Sequence, residues 1–258
     1  MQIKLRFTLF IILLSSIAFA FTENNMPGRK GAHSRRTWSK AFIGVSAGAS
    51  IPTADFAKAD TIQGSGFAKI GMSFNLTAGI KLMPYLGIMA TVGAAVSPFD
   101  ASAFGNLQST PGITLTYSAN SYFIGQYMAG PFLYYSDGEK FDVILRTVGG
   151  LASVKFPIIS ANSSSSSYTQ ASTIETPSAL SFGYDLGLGV NFKIANHIGL
   201  LVNADYFGTK VTYKDQKTTT DIDFFLSNIK TNSTSVDSNT YGQVIGLLQI
   251  TAGVSINF

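Results

Sequence analysis

Between Val244 and Phe258 the chain alternates. Val244, Leu248, Ile250, Ala252, Val254, Ile256 and Phe258 share one parity, broken only at Gly246, and Gln249, Thr251, Gly253, Ser255 and Asn257 hold the other. Successive side chains of a strand point to opposite faces, so this segment has one apolar face and one polar or small face, with a period of two rather than 3.6. A half-buried strand of a soluble domain sustains such alternation for about 4–8 residues. A longer run suits a strand that crosses the hydrocarbon of a membrane, which takes about 9–11 tilted residues. The apolar face would then meet lipid and the other face a lumen.

The same period recurs upstream. In 68–82, Ile70, Met72, Phe74, Leu76, Ala78, Ile80 and Leu82 oppose Lys69, Ser73, Asn75, Thr77 and Lys81. In 180–194, every apolar residue from Leu180 to Ile194 alternates with Ser181, Gly183, Asp185, Gly187, Gly189, Asn191 and Lys193. Segments 40–51, 86–96, 141–154 and 198–213 read the same way. Segment 121–135 is the exception, because both parities carry aromatics and Pro131 lies inside it. A closed barrel has no edge on which to place a proline, so a bulge that switches the phase near Gly130-Pro131 is expected.

The connections after the second, fourth and sixth segments are short and carry turn residues such as Met83-Pro84 and Ser136-Asp137-Gly138. Those at 52–66, 98–120, 156–178 and 214–239 are long. Outer-membrane barrels show this asymmetry, with tight periplasmic turns at one rim and long external loops at the other. A lipocalin-like barrel would be apolar inside, polar outside, and without the loop bias. The expected fold is therefore all-β: an eight-stranded antiparallel up-and-down transmembrane β-barrel over 38–258, both termini periplasmic, in a bacterial outer membrane. The serine-rich stretch 162–172 reads as a flexible, low-complexity loop.

Composition agrees with export and a membrane environment. Hydrophobic residues make up 46% of the chain and charged residues only 12%, where a soluble domain carries about a quarter charged. Lys4 and Arg6 precede an apolar run that ends in Ala18-Phe19-Ala20, so 1–20 reads as a signal peptide, too short to span as an anchor. Residues 21–37 read as a basic, disordered tail that could touch anionic lipid or an acidic partner. Of 18 Lys and Arg, Lys4, Arg6, Arg29, Lys30, Arg35 and Arg36 precede Trp38, and of 14 Asp and Glu only Glu23 does, so the remaining body is nearly neutral. A basic face for nucleic acid is not among its features. There is no cysteine, hence no disulfide, thiolate metal site or cysteine nucleophile.

Candidate chemistry is sparse. The two histidines, His33 in the tail and His197 in a short turn, lie away from the external rim and have no nucleophile or acid beside them in sequence, so no catalytic residue is expected. Asp221 and Asp223, with Asp215 and Asp237 around them, could offer carboxylates to a hard cation. Calcium takes about 6–8 oxygens and the EF-hand spacing is missing, so a solvated loop is expected in place of a metal site. No cofactor is expected.

Phe42-Ile43-Gly44-Val45 through Gly48 and Pro52, Ala129-Gly130-Pro131, and the terminal Gly253-Val254-Ser255-Ile256-Asn257-Phe258 resemble the small outer-membrane β-barrels of Bacteroidetes, the PorT-like family, related in architecture to OmpA and OmpW types. The resemblance covers 41–258. It implies that Phe258 is the signal read by the barrel assembly machinery and that the chain has no catalytic motif. It also suggests an accessory role in protein secretion.

Lumen parity puts Arg146, Asp185, Asp205, Lys69, Lys81, Asp142 and Lys193 inside, and an unpaired charge in a narrow lumen is costly. An ion-paired plug is expected, with Arg146 against Asp185 or Asp205. Two aromatic girdles are expected: Trp38, Tyr85, Tyr135, Phe141, Phe192 and Phe258 near the periplasmic rim, and Phe67, Phe182, Tyr206 and Tyr241 toward the outer rim. Three functions follow: a non-enzymatic interaction barrel, a narrow OmpW-like conduit for small solutes, or a secretion accessory with a partner in the envelope.

Overall fold

The computed structural model describes residues 41–60, 64–108, 114–137, 140–165, 168–195, 197–224 and 229–258. The expected signal peptide, the basic tail, His33 and Trp38 lie outside them. In chain order the strands are β1 (Ala41–Thr53), β2 (Gly71–Met83), β3 (Leu86–Ser97), β4 (Thr114–Ala119), β5 (Tyr122–Ser136), β6 (Phe141–Lys155), β7 (Ile159–Ser164), β8 (Tyr168–Glu175), β9 (Ala179–Lys193), β10 (Ile198–Tyr213), β11 (Gln216–Phe224), β12 (Ile229–Asp237) and β13 (Tyr241–Asn257). A 3-10 turn covers Ala54–Phe56 and one short helix, α1, covers Ala101–Leu107.

Eight strands close a barrel in the order β1-β2-β3-β5-β6-β9-β10-β13, each antiparallel to its neighbours. The closing seam pairs β1 with β13 from Phe42 opposite Asn257 to Thr53 opposite Gly246. Consecutive barrel strands are neighbours throughout, the up-and-down topology that short turns favour. The ends of β2, β5 and β9 and the starts of β3, β6 and β10, which those turns join, share one end of the barrel with the start of β1 and the end of β13.

Burial is inverted relative to a soluble barrel. Val45, Ile80 and Leu151 face outward and are more than half exposed, at 56, 53 and 52%, whereas Ser46, Asp205 and Gln249 face inward and are 4, 0 and 1% exposed. A continuous apolar belt of this kind around every barrel strand is stable against hydrocarbon, not water. The alternation in the sequence is thus resolved as lipid outside and lumen inside.

The structure corrects two expectations about the backbone. The phase of β5 does not switch. Its register with β6 has the same offset before and after the proline, with Ala129 opposite Gly149 and Phe132 opposite Arg146, and its register with β3 is unbroken from Leu133 to Tyr122. Pro131 points outward, and the ladder to β6 skips Gly130 and Pro131, where the donor is missing. Aromatics occupy both parities because Tyr122, Phe132 and Tyr134 fill the lumen while Phe123, Tyr127 and Tyr135 face lipid.

The long connections are not irregular loops either. Three of them contribute the strands of a second sheet, ordered β12-β11-β8-β7-β4. The serine-rich stretch expected to be flexible supplies much of β7 and β8. This sheet lies beyond the barrel end opposite the short turns: β7–β8 continues the hairpin of β6 and β9 past Pro157 and Pro177, and β11–β12 continues that of β10 and β13 past Asp215, which has φ +60°.

Candidate functional site

The lumen changes character along its length. At the end nearer the second sheet it is an apolar core. Ile124, Val154, Phe207, Val211, Ile245 and Leu247 all point inward and are fully buried. The first long connection closes this core from above. Its Phe56 is 0% exposed and meets the ring of Tyr122 edge-on at 4.9 Å, while the Tyr122 hydroxyl donates to the Gly66 carbonyl at 2.9 Å. Burying one such ring is worth about 1.5–3 kcal/mol. Phe156 and Tyr213 extend this packing, with centroids 4.5 Å apart.

Phe67, expected in the outer girdle, is instead 2% exposed and packs on Phe99 and Phe104 at 5.6 and 5.4 Å. Its φ of +50° is unusual for a bulky residue and turns the ring into this cluster instead of toward lipid. The neighbouring Lys69, expected in the lumen, is also outside it. It precedes the start of β2 and pairs with Asp100 at 3.1 Å in the second long connection, so the strand parity does not apply to it. Asp100 also caps α1, accepting from the Ala103 amide at 3.0 Å. That amide bond, aided by Lys69, holds the Asp100 carboxyl below the ordinary carboxylate range.

Midway down, the lumen turns polar. Arg146 on β6 and Asp205 on β10 form a buried ion pair across the intervening strand β9. They lie in one row, because Arg146 is opposite Gly187 and Gly187 is opposite Asp205. A Cβ at Gly187 would collide with both the Asp205 carboxylate and the Arg146 guanidinium. Glycine there is what lets the two side chains meet. Asp185, two residues along β9, is also buried and faces the same guanidinium's field, with Val148 and Phe207 as its cross-strand neighbours.

Amides and hydroxyls fill the space around this pair. Asn75 Nδ2 donates to Gln249 Oε1 at 3.4 Å, Asn203 Nδ2 to Thr251 Oγ1 at 3.3 Å, and Thr251 Oγ1 to Ser46 Oγ at 3.2 Å. Toward the short-turn end, Lys193 Nζ lies 2.8 Å from Asp142 and donates to Ser136 Oγ at 3.1 Å. Lys81 Nζ sits 3.5 Å from the centre of the Tyr134 ring. Phe42 and Phe132 meet edge-on at 5.7 Å. Six of the seven charges assigned to the lumen therefore stand there, three basic and three acidic.

Of the expected girdle, Tyr85, Tyr135, Phe192 and Phe258 are exposed at the short-turn end, and Phe141 is half-buried there. At the other end Phe182 is exposed, Tyr206 lies farther down β10, and Tyr241 stacks on Tyr213 at 5.8 Å. Phe258 exchanges backbone hydrogen bonds with Ala41 at the seam. His197 sits in the last short turn, its Nδ1 3.0 Å from the Asn257 carbonyl.

The second sheet is the other candidate. Cross-strand partners share a face, so the registers define two rows on one side: Asn232, Asp221, Ala171, Asn162 and Thr116, then Lys230, Asp223, Thr169 and Ser164. A third row on that side is Thr234, Thr219, Thr173, Ser160 and Ser118. Every one of these is polar except Ala171. The first two rows line an open trough of about 630 Å³. The reverse side carries Ile222, Leu115, Tyr117 and Ile159, and there Tyr117 meets Phe104 of α1 edge-on at 5.5 Å. Sequence reading missed this surface, because β11 and β12 are polar on both faces along most of their length and β4 is too short for its alternation to stand out.

No protein-family model matches the chain. No curated protein sequence matches it either. Similar solved structures are a major outer membrane protein from Thermus thermophilus (14% identity, 84% of this chain and 99% of that chain, TM-score 0.42) and Ail, the attachment invasion locus protein of Yersinia pestis (12%, 85% and 99%, TM-score 0.39). A third is the outer membrane protease OmpT from Escherichia coli (10%, 89% and 99%, TM-score 0.34).

Proposed function

We propose that this chain is an outer-membrane barrel whose lumen is sealed and whose work is done by binding, without catalysis, on the sheet it carries outside the cell. The observation that supports this most is the packed, apolar end of the lumen beneath Phe56. A conduit for solutes needs a continuous wet path, and fully buried Ile124, Phe207, Ile245 and Leu247 leave side chains where that path would run. The short turns and both ends of the barrel chain face the periplasm, and the second sheet faces the medium. The barrel is made by the barrel assembly machinery and is solvated by outer-membrane lipid. The PorT-like resemblance adds that an envelope partner in secretion is one form such binding would take.

Orientation is tested with single cysteines, since the chain has none of its own. A membrane-impermeant thiol reagent on intact cells should label Ser235→Cys in β12 and spare Lys140→Cys in a short turn until the outer membrane is permeabilised. Labelling of Lys140→Cys alone on intact cells would reverse the topology and end this reading.

A further inference from the structure

We infer that the trough on the second sheet binds a neutral, hydroxyl-rich glycan presented from the medium. This rests on the reading of the sheet as the external working surface. The trough's 630 Å³ lies within the range of small-ligand sites, about 300–1,000 Å³. Its chemistry selects the class of ligand. Asp221 and Asn232 stand side by side, joined by an Asn232 Nδ2 hydrogen bond to Asp221 Oδ1 at 2.5 Å, which leaves the second carboxylate oxygen and the Asn232 carbonyl as acceptors. Across the floor, the side chains of Asn162, Ser164 and Thr169 have no hydrogen-bond partner among the described residues. Paired acceptors facing unengaged amides and hydroxyls suit a ligand that both donates and accepts at every position, as vicinal hydroxyls do.

Charge and shape exclude the other classes. Lys230 neutralises Asp223 at 3.1 Å, so the lining has too little net charge to attract a polyanion or a polycation. An apolar peptide side chain would find little aliphatic wall, because Ala171 and Ile222 are the two non-polar residues that line the trough. Ala171 is also small and central, between Asp221 and Asn162, and its size is what gives the trough a floor. The source is the medium, because the lining reaches the far rows of both hairpins. Thr169 lies about 20 Å of strand beyond Glu175, where β8 leaves the barrel end.

The test uses the full chain in phospholipid nanodiscs, titrated calorimetrically with neutral glucan, mannan and galactan oligosaccharides, a sulfated polysaccharide, and a lipopolysaccharide-derived oligosaccharide. At least one neutral oligosaccharide should bind saturably. Binding should be lost in Ala171→Tyr, which fills the floor, fall at least tenfold in Asp221→Ala, and be unchanged in Ser235→Tyr on the opposite face. Each variant is checked for the heat-modifiable mobility of a folded barrel. If Ala171→Tyr fails that check, Asp221→Ala carries the test alone. Binding confined to the sulfated or lipopolysaccharide-derived ligand, binding indifferent to the trough variants, or no binding at all would overturn the inference. Open-channel conductance of the same protein in planar bilayers would instead overturn the sealed-barrel reading, whether or not a glycan binds.

Discussion

At the scale of single residues, Gly187 decides whether Arg146 and Asp205 meet. Removing one member of a buried pair leaves a charge uncompensated, which costs about 3–5 kcal/mol. Arg146→Ala should therefore destabilise the barrel by about that amount, measured by equilibrium unfolding in lipid vesicles. Arg146→Met with Asp205→Leu should recover only part of it, because Asp185 stays buried without its cation. An unfolding midpoint unchanged by Arg146→Ala would mean that the pair does not hold the lumen. Parity alone brought Arg146, Asp185 and Asp205 to the lumen, since a period of two leaves no choice of face. It misplaced Lys69 because a strand's parity holds only inside its ladder, and the ladder starts at Gly71.

Asp100 gives a residue-scale prediction outside the membrane. A carboxyl whose value is depressed in the folded state stabilises that state above its unfolded value and loses the effect as pH falls through the depressed one. The amides of α1 should thus be protected from hydrogen exchange at neutral pH and lose protection in strong acid. Asp100→Ala should show the unprotected behaviour at both. Equal protection in wild type and variant at neutral pH would show that the cap contributes nothing.

At the scale of elements, the sheet's hairpins run on from barrel strands, and Tyr117 adds a side contact through Phe104 to the aromatic cluster of Phe67 and Phe99. Tyr213 is opposite Tyr241 at the top of the β10–β13 ladder, so a short turn can replace 215–239 without breaking a barrel row. That variant should keep the heat-modifiable mobility of the wild type and lose the proposed binding surface. Failure to fold would show that the sheet is part of the barrel's core and not its cargo. The barrel strands were legible because lipid and lumen impose opposite demands on alternate residues. The strands of the sheet were not. In β11, Lys217, Thr218, Thr219 and Thr220 are polar on both faces, and the only signal in them is the β-propensity of threonine.

At the scale of the whole molecule, three layers stack along the barrel: an aromatic and aliphatic core, a paired polar centre, and a charged short-turn end. The sequence reading anticipated the centre and expected polar side chains throughout. It did not anticipate the apolar end: parity turns Ile124, Val211, Ile245 and Leu247 inward, but aliphatic side chains on the lumen face suit a dry core, and that dryness comes from the first long connection folding over them. The direct test is single-channel recording of wild-type protein in planar bilayers at neutral pH. No stable open level is expected, since Phe56 and the Arg146–Asp205 pair close the path at two heights. A large, steady conductance, unchanged in Phe56→Ala and Arg146→Ala, would contradict the sealed barrel.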